Sequence, residues 1–272
     1  MGTDTARSML GTANTLILHT GNLMNWGRLK KKCTVTPSEE LGDSIRITLN
    51  EWSLKASPEH VQDSSQTVEC AVTQAMETIN PEEREEMKVS AKLFILDSGL
   101  SSIRHAVDMA CSTLAVAQLD SVIIAPPPLE DGVILTLEHL QPYWRELESL
   151  VQDNKVVAIG TSDLDKPLLE QLYLWAQIKP SSNQVNLASC CIMPPDLTAF
   201  AKEFDIQLLT HSDSKEILPE ESFQEVLRDT VEGSDADAWS PVWVLRYSVI
   251  VKTRGIIKSK GYTVQAKRKA PY

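Results

Sequence analysis

Arg84-Glu85-Glu86-Met87-Lys88-Val89-Ser90-Ala91-Lys92-Leu93-Phe94 is the stretch on which the fold is decided. From Met87 to Leu96 it reads as a strand with a lysine, Lys92, inside it. Working outward, short β-branched runs alternate with amphipathic helical stretches. Ser101–Leu119 reads as a helix with apolar Ile103, Val107, Met109, Ala110 and Leu114. Ser121–Ala125 is the next strand, stopped by Pro126-Pro127-Pro128. Leu135–Gln152 is expected as a helix, Lys155–Gly160 as a strand, Leu164–Ile178 as a helix and Gln184–Leu187 as a strand. Pro195–Glu203 (helix), Ile206–Thr210 (strand) and Ser222–Val231 (helix) continue the series. Pro241 suits the first turn of a further helix reaching about Thr253, before a last strand at Gly255–Lys258.

Such alternation with near-continuously apolar strands means a parallel sheet covered on both faces. Five or six consecutive βα units favour a closed barrel over an open doubly wound sheet. No Gly-x-Gly-x-x-Gly turn follows any strand, so the usual dinucleotide fingerprint is missing. The N-terminal part is less regular. Leu16–His19 reads as a strand, Gly21-Asn22 as a turn, Ser38–Trp52 as a helix and Thr67–Ile79 as another. Between those helices Ser53–Gln66 is polar with Pro58, where a barrel's second strand belongs.

The chain has 272 residues, a length that one α/β barrel reaches. Its hydrophobic fraction of 42% and six tryptophans suffice for a sizeable core. The net charge of −11 argues against nucleic acid as main partner, because phosphate contacts need a basic face. Eight of the 26 Lys/Arg and none of the 37 Asp/Glu fall in 238–272, so the first 237 residues carry −19 and the rest +8. Five cysteines, an odd number without Cys-x-x-Cys spacing, indicate a reducing compartment rather than a disulfide framework or zinc site. No apolar run reaches the ~18–20 residues of a membrane span, and no secretory leader is visible. A cytoplasmic location and no membrane partner are expected.

Several segments resemble the aldo-keto reductase family in order and spacing. Besides residues 84–94, they are Val157-Ala158-Ile159-Gly160-Thr161-Ser162-Asp163-Leu164, Asn183-Gln184-Val185-Asn186, and Arg246 through Ser259 with its Lys258-Ser259 pair. The resemblance covers roughly residues 84–260. It implies a (β/α)8 TIM-type barrel, modified in its N-terminal part and shortened at the C-terminus, forming a single domain over 1–272. Residues 258–272 are expected as a basic tail; Lys267-Arg268-Lys269 either docks a partner or is a disordered solubilising end.

The resemblance also implies a site. Chemistry in that family needs Asp, Tyr, Lys and His together, with the lysine lowering the tyrosine pKa so that it protonates a carbonyl as hydride arrives. Lys92 matches the lysine. The histidine position falls on Ala125, and no tyrosine precedes Tyr143. Loss of an acid from such a proton transfer forfeits ~10²–10⁴ in rate. Asp163 stands where the family presents a neutral amide. The chain is therefore expected to be no enzyme and to need no cofactor. Lys92, Ser162, Gln184, Lys258 and Ser259 remain only as vestigial NADPH contacts, and Lys92 is alternatively a buried strand lysine held by a carboxylate.

At finer grain the chain resembles the family of glutamate–cysteine ligase regulatory subunits. The runs that carry this are Thr20-Gly21-Asn22-Leu23 with Asn25-Trp26-Gly27-Arg28-Leu29, then Glu83–Phe94, Ala106–Cys111, Ala117–Ala125, Asn183–Cys191 and Arg246–Tyr262. This resemblance implies a non-catalytic partner of the ligase catalytic subunit in a heterodimer, improving glutamate use and relieving glutathione inhibition. The alternatives are an NADPH-binding reductase-like protein and a nucleotide or redox sensor.

Other residues carry open readings. Cys190-Cys191 either couples complex formation to redox state through an accessible thiol or is a pair of unreactive small residues. Trp239, Trp243 and Tyr247 form a stripe at a spacing of four, usually a core face, and Trp243 and Tyr247 are interface anchors if partly exposed. His211, after strand seven, either lines the barrel mouth or is a hydrogen-bonded loop residue. Glu216–Asp237 lacks the glycine and terminal glutamate of a calcium loop and reads as a solvated helix and loop.

Overall fold

The computed structural model describes residues 2–28, 36–56, 66–72, 76–97, 99, 101–126, 129, 132–187 and 192–269. Its centre is the expected parallel series. β3 (Met87–Ile95), β4 (Leu119–Ala125), β5 (Val156–Ser162), β6 (Ser182–Asn186) and β7 (Gln207–His211) pair in that order, each parallel to the next. The crossovers are α3 (Ser101–Leu114), α4 (Leu137–Gln152), α5 (Lys166–Trp175) and α6 (Pro195–Glu203). Their apolar stripes meet one face of the sheet. Ile103, Val107, Leu114, Trp144, Leu147 and Leu169 are buried there against Val89, Leu93, Val122 and Ile159. Each such side chain contributes about 1.5–3 kcal/mol by leaving water. Gly160 is fixed by strand packing, since a side chain there would run into the Ser182 hydroxyl.

The rest of the sheet departs from a regular barrel. Two long strands, β8 (Trp239–Val251) and β9 (Ile256–Arg268), form an antiparallel hairpin. It lies between β3 and β1 (Thr15–His19), antiparallel to both, and β2 (Thr67–Ala71) is outermost. The order is β2-β1-β9-β8-β3-β4-β5-β6-β7, and no ladder joins β2 to β7 among the described residues. The α/β barrel frame is thus modified far more in its first and last segments than the sequence indicated.

Three expectations are corrected here. Residues 241–253 are strand, not helix. Trp-Ser-Pro-Val-Trp-Val-Leu-Arg-Tyr-Ser-Val-Ile-Val is rich in β-branched and aromatic residues. A spacing of four marks one face of a strand as well as one face of a helix, so Trp243 and Tyr247 satisfied both readings, while the register shift between Pro241 and Trp243 puts Trp239 in a different core. Pro241 lies beyond the β3 pairing and at a register shift against β9, where its missing N–H is tolerated. Residues 67–71 are likewise strand, with Val68 and Cys70 buried between more exposed neighbours.

Nor are 258–268 a free tail. They are the body of β9, paired on both sides. Arg268 donates to the carbonyls of Leu10 and Ala13, pairs with Asp235 at 2.8 Å and lies over the Trp239 ring; Lys269 pairs with Glu220.

A second core forms where α1 (Gly2–Thr12), α2 (Pro37–Lys55) and α7 (Glu220–Thr230) cover this half, around Leu10, Leu41, Ile45, Leu49, Phe223 and Trp239. The first helix was not foreseen, although Ala6, Met9 and Leu10 have helical spacing and are its buried face. Thr36 and Glu39 cap α2 reciprocally, with Pro37 in the first turn. Thr20 and Asn22 tie the end of β1 to β9. The Thr20 hydroxyl accepts the Tyr262 N–H at 2.9 Å, and the Asn22 side chain accepts the Lys260 N–H and donates to Glu77.

Candidate functional site

Lys92 faces the concave side of the sheet in register with Arg246 of β8. β7 ends at His211, and two residues on, Asp213 turns back beneath these cations. Its carboxylate accepts from Lys92 Nζ at 2.8 Å and takes Arg246 in a two-pronged pair, 2.5 and 3.1 Å. His211 Nδ1 is 3.1 Å from the same carboxylate, and its Nε2 is 2.9 Å from Asp163. Asp163 accepts in addition from the Ser162 hydroxyl at 2.8 Å and the Asn186 N–H at 2.9 Å. Its φ of +61° is the left-handed conformation that Asp tolerates better than most residues, and it aims the carboxylate at His211. Phe94, the next inward-facing residue of β3, lies under both cations.

The charges set one another. Burial opposes ionisation of Asp213, but His211, Arg246 and Lys92 outweigh it and hold the carboxyl far below the usual carboxylate range. Burial pushes Lys92 below the ordinary lysine value against the pull of Asp213. Burial also works against a charged His211, yet Asp163 and Asp213 raise its pKa. As a cation the ring donates Nε2–H to Asp163 and Nδ1–H to Asp213. The Asp213 backbone N–H, 3.1 Å from Nδ1, bonds to that nitrogen only in the neutral ring.

This arrangement is a satisfied ion network, and its chemistry is limited. The Lys92 ammonium is 5% exposed and consumed by a carboxylate. Tyr262, the tyrosine in the same sheet row, lies two strands away beyond Arg246. Its hydroxyl donates to Glu40 at 3.1 Å, and burial together with Glu40 raises its pKa well above the ordinary phenol. A phenol so held is a poorer proton donor than a free one. Lys92 is the buried strand lysine held by a carboxylate.

Of the residues singled out as vestigial contacts, three are brought together. Ser162 and Gln184 pair across β5 and β6 and share the concave face with Lys92. Lys258 and Ser259 are elsewhere. β9 runs antiparallel, so they lie toward the N-terminal end of β3, the opposite end from the one at which barrel sites form. Lys258 is the extra residue of a bulge between the Val249–Ser259 and Ile250–Ile257 pairs, and its ammonium meets Glu83 at 2.7 Å. Ser259 is buried. These five positions do not converge on one site.

The interface anchors are also corrected. Trp243 and Tyr247 are 0% and 2% exposed. The Trp243 indole donates to Gln265 and meets His105 edge-on, and burial pushes the Tyr247 phenol up to about 12. Neither side chain offers a docking surface. Cys190 and Cys191 lie outside the described residues. Cys70 and Cys111 are buried thiols whose pKa values burial raises, which makes them less reactive. Asp235 and Asp237 pair with Arg268 and Arg228.

Asp213 and Arg246 were missed as members of the site. Arg246 stood inside a segment read as helix, and nothing near Ser212-Asp213 marks that aspartate. His211 and Asp163 had been noticed separately, but only the register of β5, β6 and β7 makes them partners.

Comparison with known proteins gives this geometry a lineage. The model of the aldo/keto reductase family matches residues 64–215. The glutamate–cysteine ligase regulatory subunits of Homo sapiens and Mus musculus are each 68% identical to the chain over 272 residues, covering 99% of it and 99% of their own length. A solved aldo-keto reductase from a Medee basin deep-sea metagenome library is 25% identical over 44% of this chain and 41% of that one, with a TM-score of 0.36.

Proposed function

Since the chain belongs to the aldo/keto reductase family, in its branch of glutamate–cysteine ligase regulatory subunits, we propose that it binds the catalytic subunit of that ligase as a non-catalytic partner. It raises the effectiveness with which the ligase uses glutamate and weakens inhibition by glutathione. The observation that carries the reading is the closed ion network around Lys92. A reductase needs that lysine beside a phenol made more acidic, whereas here the ammonium belongs to Asp213 and the phenol of its row is made less acidic. No NADPH is required for this role.

Regulation of this kind is a coupling free energy, commonly about 1–3 kcal/mol, delivered through an interface. No helix among the described residues is long and apolar enough to cross a membrane. The test mixes purified chain with the ligase catalytic subunit. A stable complex with a lower KM for glutamate and weaker glutathione inhibition is expected. Absence of a complex, together with unchanged glutamate dependence, overturns the proposal. Carbonyl reduction by the isolated chain, abolished in Lys92→Met, overturns its non-catalytic part.

A further inference from the structure

The concave face of the sheet is not filled. Packed (β/α)8 interiors hold layers of Val, Ile and Leu. Here one in-register row across four strands reads Ser248, Ser90, Ser121 and Ala158. Small residues at these positions leave a cleft of about 740 Å³, with α2 on one side and β7 on the other. That volume is in the range of small-molecule sites. The serine floor lies on the N-terminal side of Lys92, and Lys92 and Arg246 line the same cleft.

The lining has a definite chemistry. Ser121 donates to Ser90 at 2.9 Å, so the middle of the floor presents hydroxyl oxygens between apolar Ile123, Ala158 and Ile250. Lys88, one step along β3 on the same face, is exposed, and no ion pair engages it among the described residues. Lys92 and Arg246 share the single carboxylate of Asp213, which leaves an excess of positive charge along that wall. In a chain of net charge −11 this local surplus comes from placement, not composition. The Gln184 Oε1 lines the same cleft, is buried and has no hydrogen-bond partner among the described residues. An acceptor of this kind takes a hydrogen bond from water or from a donor on a ligand.

We propose that this cleft binds a small organic carboxylate that carries a hydroxyl or ammonium donor of its own. The carboxylates meet Lys88 and the Arg246 side, the serine row supports the ligand's polar groups, and its donor reaches Gln184. The proposal does not rest on the regulatory role, because its test uses the chain alone.

Isothermal titration and amide NMR would follow citrate, L-glutamate and inorganic phosphate, each at matched ionic strength. Saturable binding of citrate or L-glutamate, with shifts on Ser90, Ser121 and Gln184, is expected. Lys88→Met, a surface change that should not disturb folding, should weaken it roughly tenfold, the effect of one charge-assisted hydrogen bond. The double variant Ser90→Val with Ser121→Val gives the floor the β-branched residues of a packed barrel. It should keep its thermal midpoint and lose binding. No saturable binding of either carboxylate overturns the proposal, as does phosphate binding equally well. Carboxylate binding that survives in both Lys88→Met and the valine variant overturns it too.

Discussion

The parallel strands β3 to β7 and the group formed by β1, β2, β8 and β9 share one sheet but follow different rules. In the first, each strand pairs with its neighbour in sequence through a covering helix, so local pattern and final place coincide. In the second, β1 pairs with a strand almost 250 residues away, and β8 returns to lie against β3. The first group could be laid out from periodicity; the second depends on contacts that periodicity does not encode. The two meet at β3 and β8, where Asp213 bridges Lys92 and Arg246. The comparison is therefore sharpest at that carboxylate.

Asp213→Ala should have the largest effect. It leaves the buried Lys92 and the partly exposed Arg246 without their counter-charge and should lower stability by about 3–5 kcal/mol in urea unfolding. A change below 1 kcal/mol would mean that the seam is held by packing alone. Arg268→Ala, at the far end of β9, should lower stability by about 1.5–3 kcal/mol through loss of its charged hydrogen bonds. Hydrogen exchange should rise in β9, β1 and α1 while β4 and β5 stay protected. Equal loss in both groups would show that they unfold as one unit.

Two opposite shifts in the network, those of Asp213 and His211, shape its pH dependence below the range in which Lys92 titrates. Asp213 has a lowered folded pKa, so its contribution is complete above about 4 and is lost as pH falls. His211 has a raised folded pKa, so its contribution is complete below about 6.5 and is lost as pH rises through the folded value. Urea midpoints from pH about 4 to about 9 should therefore decline on the alkaline side, and His211→Gln should flatten that decline. Wild-type and His211→Gln profiles that run parallel there would contradict the charged ring. The smallest effect belongs to Lys258→Ala, whose pair with Glu83 is half exposed and contributes about 0–1 kcal/mol.

How legible the molecule was differs residue by residue. Lys92 was visible as a buried lysine in need of a carboxylate, but Asp213 follows it by 121 residues and carries no local signal. Ser162, Gln184, Lys258 and Ser259 were named together from the resemblance, but only the first two share a face with Lys92, and the pairing of β9 puts the others toward the opposite end of the sheet. A helix at 241–253 implies that the following strand runs parallel to β3, whereas the hairpin of β8 and β9 reverses it. Trp243 shows why the helix reading arose: an apolar residue every fourth position is buried on a helix or on a strand, and only neighbours decide which.

The sequence by itself determined the βα alternation from residue 87 to about 231, the family, the survival of Lys92 and the lack of a tyrosine before Tyr143. Those properties are written in local periodicity and residue identity. Tertiary structure alone decided that β8 and β9 enter beside β3, that Asp213 claims Lys92 and Arg246, and that a row of serines faces an open cleft. Each of those depends on strand order and register, which are fixed by burial summed over the whole sheet rather than by any one segment.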